Sequence, residues 1–332
     1  QRPRDAWYLY PRMCPVWSSA EGAYEEPYGG QFPVQFLDVY DRQSGGGVSL
    51  GTRGREFQQR YYKLTKQGGV LSAHVQYRNH PTTGPGACFS CPESVLALHG
   101  GDFHPALDAY LSWFRSWYRP ARPRLDWYRK IWNFRTYWTH TMGDGDPESN
   151  LFDRAQGDFR TRHFIDKDRE LYGQVDMAHL FDWRVSEKYG RYGDFSHFDD
   201  IGGLDKFRAM VKGFQDQGIR LGLYLDCYLC SRKSLVGQAH GDEWAIRRPD
   251  GSIPDTYTSP EDPMLNMCVL HPGWQDHLAQ ACANAVKLTG CDGVYLDEGT
   301  TDLEGYWCYS PDHGHPVPGV NQAGLMELVR KV

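Results

Sequence analysis

Three aspartates stand where short apolar runs stop: Asp182 after Val175 to Phe181, Asp226 after Ile219 to Leu225, and Asp297 after Gly293 to Leu296, with Glu298 beside the last. Carboxylates in such places suit chemistry at a sugar. Glycosidic cleavage needs two carboxyl groups, one to attack or stabilise the anomeric carbon or to activate water, and a second, kept protonated, to help the leaving oxygen depart. Asp297 is the first choice for the former, because a strand would hold it rigidly. If that strand continues, Glu298 must point away from it, which leaves a supporting or turn role. Asp226, one strand earlier, would hydrogen-bond substrate hydroxyls, with Asp182 at the equivalent position before it. An aspartate closing a strand can also merely cap the following turn. Several at equivalent positions favour a site.

Aromatic residues point the same way, since 11 Trp and 21 Tyr among 332 residues exceed what core packing usually asks for, and sugars stack on such rings. Trp183, Trp244 and Trp307 are the candidate platforms, each also a natural core filler. The long stretch from Cys227 to His271 carries Trp244, Arg247, Arg248 and an Asp250-Gly251 turn, and reads as a lid or as a solvated insertion. In Cys308 to His315 a cysteine, an aspartate and two histidines crowd together. Two histidines at i and i+2 in a Pro/Gly loop share no helix face, and no fixed third ligand is evident. His313 and His315 are therefore read as substrate hydrogen-bonding or loop residues. No metal and no cofactor is expected.

The elements that must hold these residues fall into two patterns. Up to residue 103, runs such as Val70 to Tyr77, Val34 to Tyr40 and Val48 to Leu50 alternate with a period of two. Glycine clusters at Gly45 to Gly47 and Gly68-Gly69, and a Pro/Gly stretch at Pro81 to Gly86, punctuate them,. This predicts an antiparallel β-sandwich-like domain over 1–103. From His104 the spacing of Leu107, Tyr110, Leu111, Phe114, Trp117 and Tyr118 turns helical and ends before Pro120, so 104–123 is a linking helix and linker.

Residues 124–332 repeat a strand, a polar loop and an amphipathic helix, the grammar of parallel βα units. Gly202-Gly203 leads into a helix bearing Leu204, Phe207, Met210, Val211 and Phe214, capped by Gly218, and Ile219 to Asp226 follows as a strand. Pro272 opens a second copy with Trp274, Leu278, Cys282 and Ala285, capped by Gly290 and followed by Gly293 to Asp297. Ile131 to Trp138 and Val175 to Trp183 fit as two earlier strands. A (β/α)8 barrel takes about 250 residues and eight strands. Only its first four units are legible here, which predicts open strand edges covered by missing chain or by a second copy.

The stretch from Gly202-Gly203-Leu204 through Gly218 to Leu223-Tyr224-Leu225-Asp226 resembles the third unit of clan D glycosidases, the α-galactosidase and α-glucosidase barrels. Cys291-Asp292-Gly293-Val294-Tyr295-Leu296-Asp297-Glu298 resembles their fourth strand. The likeness runs roughly from Asp126 to Glu298, and is nearest to poorly characterised bacterial glycosidase-like proteins of polysaccharide degradation. It implies a β domain before the barrel, a retaining hydrolase acting on an α-linked glycan, and Asp297 as its nucleophile. The acid/base aspartate of those enzymes comes from strand six, which this sequence does not contain. The rival reading is a non-catalytic carbohydrate-binding or scaffold protein with an incomplete glycosidase barrel.

Composition sets nucleic acid and membrane aside as partners and leaves the oligosaccharide or polysaccharide that the resemblance implies. A formal charge of -6 without long single-sign runs lacks the basic footprint of nucleic-acid binding. No apolar run approaches the roughly 20 residues that cross a bilayer. Gln1 to Asp5 lack the order of a signal peptide, so location is open, with a secreted or periplasmic one favoured. Nine cysteines, including the pairs Cys88/Cys91 and Cys227/Cys230, read as structural thiols. The sugar, linkage and oligomeric state are not encoded in any motif.

Overall fold

In a computed structural model of the protein, residues 6–77, 84–120, 122–139, 149–183, 185–254, 260–298 and 307–332 are described. The turn expected at Pro81 to Gly86 lies partly outside them. The chain divides into two units, one formed chiefly by Gln1–Pro123 and the other by Arg124–Gly299 with Leu303–Val332.

Among the described residues, eight strands build the first unit: β1 (Ala6–Tyr10), β2 (Val16–Ser18), β3 (Gly22–Pro27), β4 (Phe36–Asp41), β5 (Gly46–Thr52), β6 (Tyr61–Gln67), β7 (Val70–Gln76) and β8 (Ser94–Gly100). They pair antiparallel as a five-stranded sheet, β2-β1-β4-β5-β8, and a three-stranded sheet, β3-β6-β7. Gly68 and Gly69 both take positive φ in the two-residue turn between β6 and β7, which is what such a hairpin demands. Both sheets feed one core: Tyr8 and Tyr10 from β1 and Leu37 from β4 meet Tyr62 and Leu64 from β6. Tyr10 Oη donates across that core to the Tyr62 carbonyl at 2.6 Å. Phe36, next to Leu37, packs the other way, against Ala106 and Tyr110 of helix α1 (His104–Trp117). The helix predicted as a connector is thus a layer of the first unit.

The second unit runs β9 (Phe134–Trp138), the short hairpin of β10 (Phe152–Asp153) and β11 (Asp158–Phe159), α2 (Thr161–Tyr172), β12 (Met177–Phe181), α3 (Leu204–Gln215), β13 (Arg220–Asp226), β14 (Leu229–Ser231), α4 (Leu235–Trp244), β15 (Met264–Asn266), α5 (Pro272–Thr289), β16 (Gly293–Asp297) and α6 (Asn321–Lys331). Strands β16-β13-β12-β9 form a four-stranded parallel sheet. Each lies within a span where the apolar runs predicted a strand. One face of the sheet is dry: Ala178, Leu180, Leu221, Leu223 and Leu225 are buried against Phe207, Met210 and Phe214 of α3 and Leu278 and Ala285 of α5. The other face carries Phe134, Trp138, His179, Phe181, Tyr224 and Tyr295. Phe134, Trp138 and Tyr295 remain 45, 42 and 47% exposed there.

Aspartates at the amino ends of the strands lock the register. Asp176 accepts the backbone N–H groups of Trp132 and Asn133, and Asp292 accepts that of Leu221 and the Arg220 guanidinium. Each satisfies donors that the sheet leaves over. Between β13 and α5, the stretch read as a lid or a solvated insertion carries, among its described residues, β14 and β15, paired antiparallel with every residue buried. Ser231 Oγ donates to Asp262, whose other oxygen takes the Arg191 N–H.

Phe207, with no exposed surface, tests this packing. Phe207→Ala should cost about 3–5 kcal/mol in urea unfolding followed by circular dichroism. A loss below about 1 kcal/mol would show that the ring is not enclosed.

Candidate functional site

The parallel register of β13 and β16 sets Tyr224 beside Tyr295 and Asp226 beside Asp297. A period of two then puts all four on one face, away from Leu223, Leu225, Val294 and Leu296. Tyr224 Oη donates to Asp297 Oδ2 at 2.6 Å and lies 3.4 Å from Asp226 Oδ2. Tyr295 Oη donates to Asp297 Oδ1 at 3.2 Å. Both oxygens of Asp297 therefore carry a phenol. Burial, followed by the adjacent charges of Asp226 and Tyr192 and the hydrogen bond to Asp297, pushes the Tyr224 phenol far above its ordinary range. It stays protonated, hence a fixed donor. Burial and the Asp297 charge also raise Tyr295. His179 completes the group, its ring 4.8 Å from Tyr295 and 5.9 Å from Tyr224.

The two aspartates differ in access. Asp297 is half-buried. Asp226 is wholly enclosed, and its Oδ1 accepts the N–H groups of Tyr228 at 2.9 Å and Leu229 at 2.8 Å. Its expected contact with substrate hydroxyls is corrected: an enclosed carboxylate that caps the turn offers no oxygen to a sugar. Asp182 is also buried, at φ +52, and Glu298 is half-buried at φ +60. Left-handed backbone is uncommon for such residues. Both mark where the chain turns sharply off β12 and β16.

The three tryptophans are corrected as open platforms. Trp183 has no exposed surface, packs on Phe198 and Phe207, and donates its indole N–H to the Tyr224 carbonyl at 2.8 Å. Trp307 is buried as well. Trp244 is half-buried with its ring stacked on His240 at 4.2 Å and on His271 at 5.6 Å. Its apolar surface is already engaged.

His313 and His315 have their ring nitrogens engaged too, with the Glu243 and Pro316 carbonyls on one side and the thiols of Cys308 and Cys268 on the other. That occupancy corrects the expected substrate hydrogen bonding. It also corrects the reading that no third donor joins the pair, because the fold delivers Cys268 from 47 residues before His315. Cys308 is held low by the hydrogen bond from Cys268 first and by the two histidines after it, while Cys268 is pushed up in turn. The buried Cys230 thiol rises to about 12 through desolvation, in keeping with an inert structural thiol. Tyr224 and Tyr295 escaped the sequence reading, although each stands two residues before a strand-ending aspartate and so on its face.

Among solved structures, the chain is similar to the α-N-acetylgalactosaminidase NagBb of Bifidobacterium bifidum, at 15% identity and a TM-score of 0.69 over 98% of this chain and 57% of that one. An α-galactosidase from Lactobacillus brevis aligns at 14% identity and 0.52 over 89% and 39% of the respective chains. An α-galactosidase from Thermus thermophilus aligns at 12% and 0.52 over 90% and 49%. At these identities the likeness establishes the fold. The chain spans 57% of the first relative's length and about half or less of the other two. Among curated proteins none matches it. No described helix is long and apolar enough to cross a membrane. Residues 90–322, which hold Asp226, Asp297 and the Cys268–His315 cluster, match the family described as "Domain of unknown function (DUF6259)", and the chain belongs to that family.

Proposed function

We propose that the strand-end face of the second unit binds α-linked glycans and that Asp297 is the nucleophile of a retaining glycosidase. The observation that carries this reading is a half-buried carboxylate at the carboxyl end of a parallel strand with a phenol on each oxygen. Strand carboxyl ends are where barrel enzymes keep their chemistry. The names of the similar structures, an α-N-acetylgalactosaminidase and two α-galactosidases, support α-linked sugars as the substrate class.

In this reading an Asp297 oxygen attacks the anomeric carbon as the bond to the leaving oxygen breaks. That oxygen takes a proton from a carboxylic acid, a role given to no residue here, and water then hydrolyses the glycosyl ester. Tyr224 and Tyr295 act as positioning residues: two donors fix the carboxylate plane and prevent it from rotating off the line of attack. The half-exposed rings of Trp138 and Tyr295 replace the buried tryptophans as the stacking surface for the sugar.

Hydrolysis of a panel of aryl α-glycosides tests the assignment. Asp297→Asn should lower kcat by roughly 10⁴-fold or more, the scale of losing a nucleophile. Undiminished activity in that variant would sink the reading. Calorimetric binding of oligosaccharides without turnover by the unaltered protein would favour the rival, a non-catalytic carbohydrate-binding protein.

Tyr224→Phe keeps the ring and removes one hydrogen bond to a charged group, worth about 1.5–3 kcal/mol. We expect kcat/KM to fall about 10- to 100-fold with the fold intact by circular dichroism. Unchanged kcat/KM would mean that the phenol does not position Asp297.

A further inference from the structure

Away from the strand-end carboxylates, two segments distant in sequence bring four donor atoms to one point. Cys268 lies just after β15, and Cys308, His313 and His315 belong to the segment between β16 and α6. Their two sulfurs and one ring nitrogen from each histidine all lie within 4.8 Å of one another. Cys268 Sγ is 3.3 Å from His315 Nε2, and Cys308 Sγ is 3.3 Å from His313 Nδ1. A tetrahedral zinc ion, bonded at about 2.3 Å to sulfur and 2.0–2.1 Å to nitrogen, spaces its donors about 3.3–3.8 Å apart. The cluster is already near that size.

The outer ring nitrogens determine what the inner ones offer. His313 Nε2 is 2.8 Å from the Glu243 carbonyl and His315 Nδ1 is 2.8 Å from the Pro316 carbonyl. A carbonyl only accepts, so both outer nitrogens carry hydrogen, and it is the inner nitrogen of each ring that is left to offer a lone pair on the side of the sulfurs. Metal-bound histidines are held in this way, the far N–H spent on a carbonyl.

The surroundings are shaped to the cluster. Both cysteines are fully buried and pack with Ile246. Cys308 and Gly319 exchange backbone hydrogen bonds at 3.0 and 2.7 Å, closing the loop that bears the histidines. A Cβ on Gly319 would lie 2.5 Å from His315 Cε1, so only glycine leaves the ring its place.

We propose that Cys268, Cys308, His313 and His315 bind one Zn²⁺ as a closed, four-coordinate structural site. Two sulfurs and two imidazole nitrogens in a tetrahedron select zinc among common divalent ions, and four protein ligands leave no open position for substrate. The ion would fasten the segment that follows β16 to the one that follows β15. This proposal stands apart from the role given to Asp297.

Metal analysis of the purified protein, dialysed without chelator, should find about one zinc per chain. Replacing it with Co²⁺ should give the thiolate charge-transfer absorption and the strong visible bands of a tetrahedral site, both abolished by added Zn²⁺. Cys268→Ala and His315→Ala should each cut zinc retention about tenfold or more, while Cys14→Ser at an exposed thiol leaves it unchanged. The cobalt spectrum is read on the unaltered protein, so misfolding of a variant does not void the test. Zinc that stays substoichiometric after incubation with ZnCl₂, a weak octahedral cobalt spectrum, or a Cys268–Cys308 disulfide in non-reduced peptide mapping would each overturn the proposal.

Discussion

The parallel pairing of β13 with β16 is the constraint on which the candidate site depends. A one-residue slip of β16 would turn Asp297 and Tyr295 to the helix-covered face, away from Tyr224 on β13,. The register is held at the opposite end of the strands, where Asp292 takes the Leu221 N–H and the Arg220 guanidinium. Helices α3 and α5 reinforce it, because their buried aromatic and aliphatic side chains fit only when leucines of the sheet point outward. Packing on one face thus fixes the chemistry on the other.

Much of this arrangement was legible as pattern. Period-two runs located β4, β5 and β7, and period-3.6 runs located α1, α3 and α5, since burial of one face writes its spacing into the chain. The strand-ending aspartates were equally visible. Their division of labour was not, because the loss of access at Asp226 depends on Tyr228 and Leu229 folding back over it, a matter of turn geometry. Tryptophan content misled for a related reason: a large ring is as useful at the junction of sheet and helix as at a sugar, and Trp183 serves there.

The cysteine–histidine cluster shows the other limit of reading in one dimension. Cys308, His313 and His315 are close in sequence, but the donor that turns them into a tetrad comes from beyond α5 and β16. No local spacing announces such a partner. The stretch between β13 and α5, which reads as loop by composition, in fact holds buried β14 and β15, and its order is what delivers Cys268 to a defined place.

Aspartate serves two purposes along the parallel sheet. Asp176 and Asp292 saturate main-chain donors at the entry of the strands, as Asp226 does at the exit, whereas the Asp297 carboxylate takes the hydroxyls of Tyr224 and Tyr295. Side-chain donors can be exchanged by mutation, while an amide N–H cannot. The surroundings of the Asp297 carboxylate are accordingly free to drift, while Asp176, Asp226 and Asp292 are bound to their places by the backbone itself.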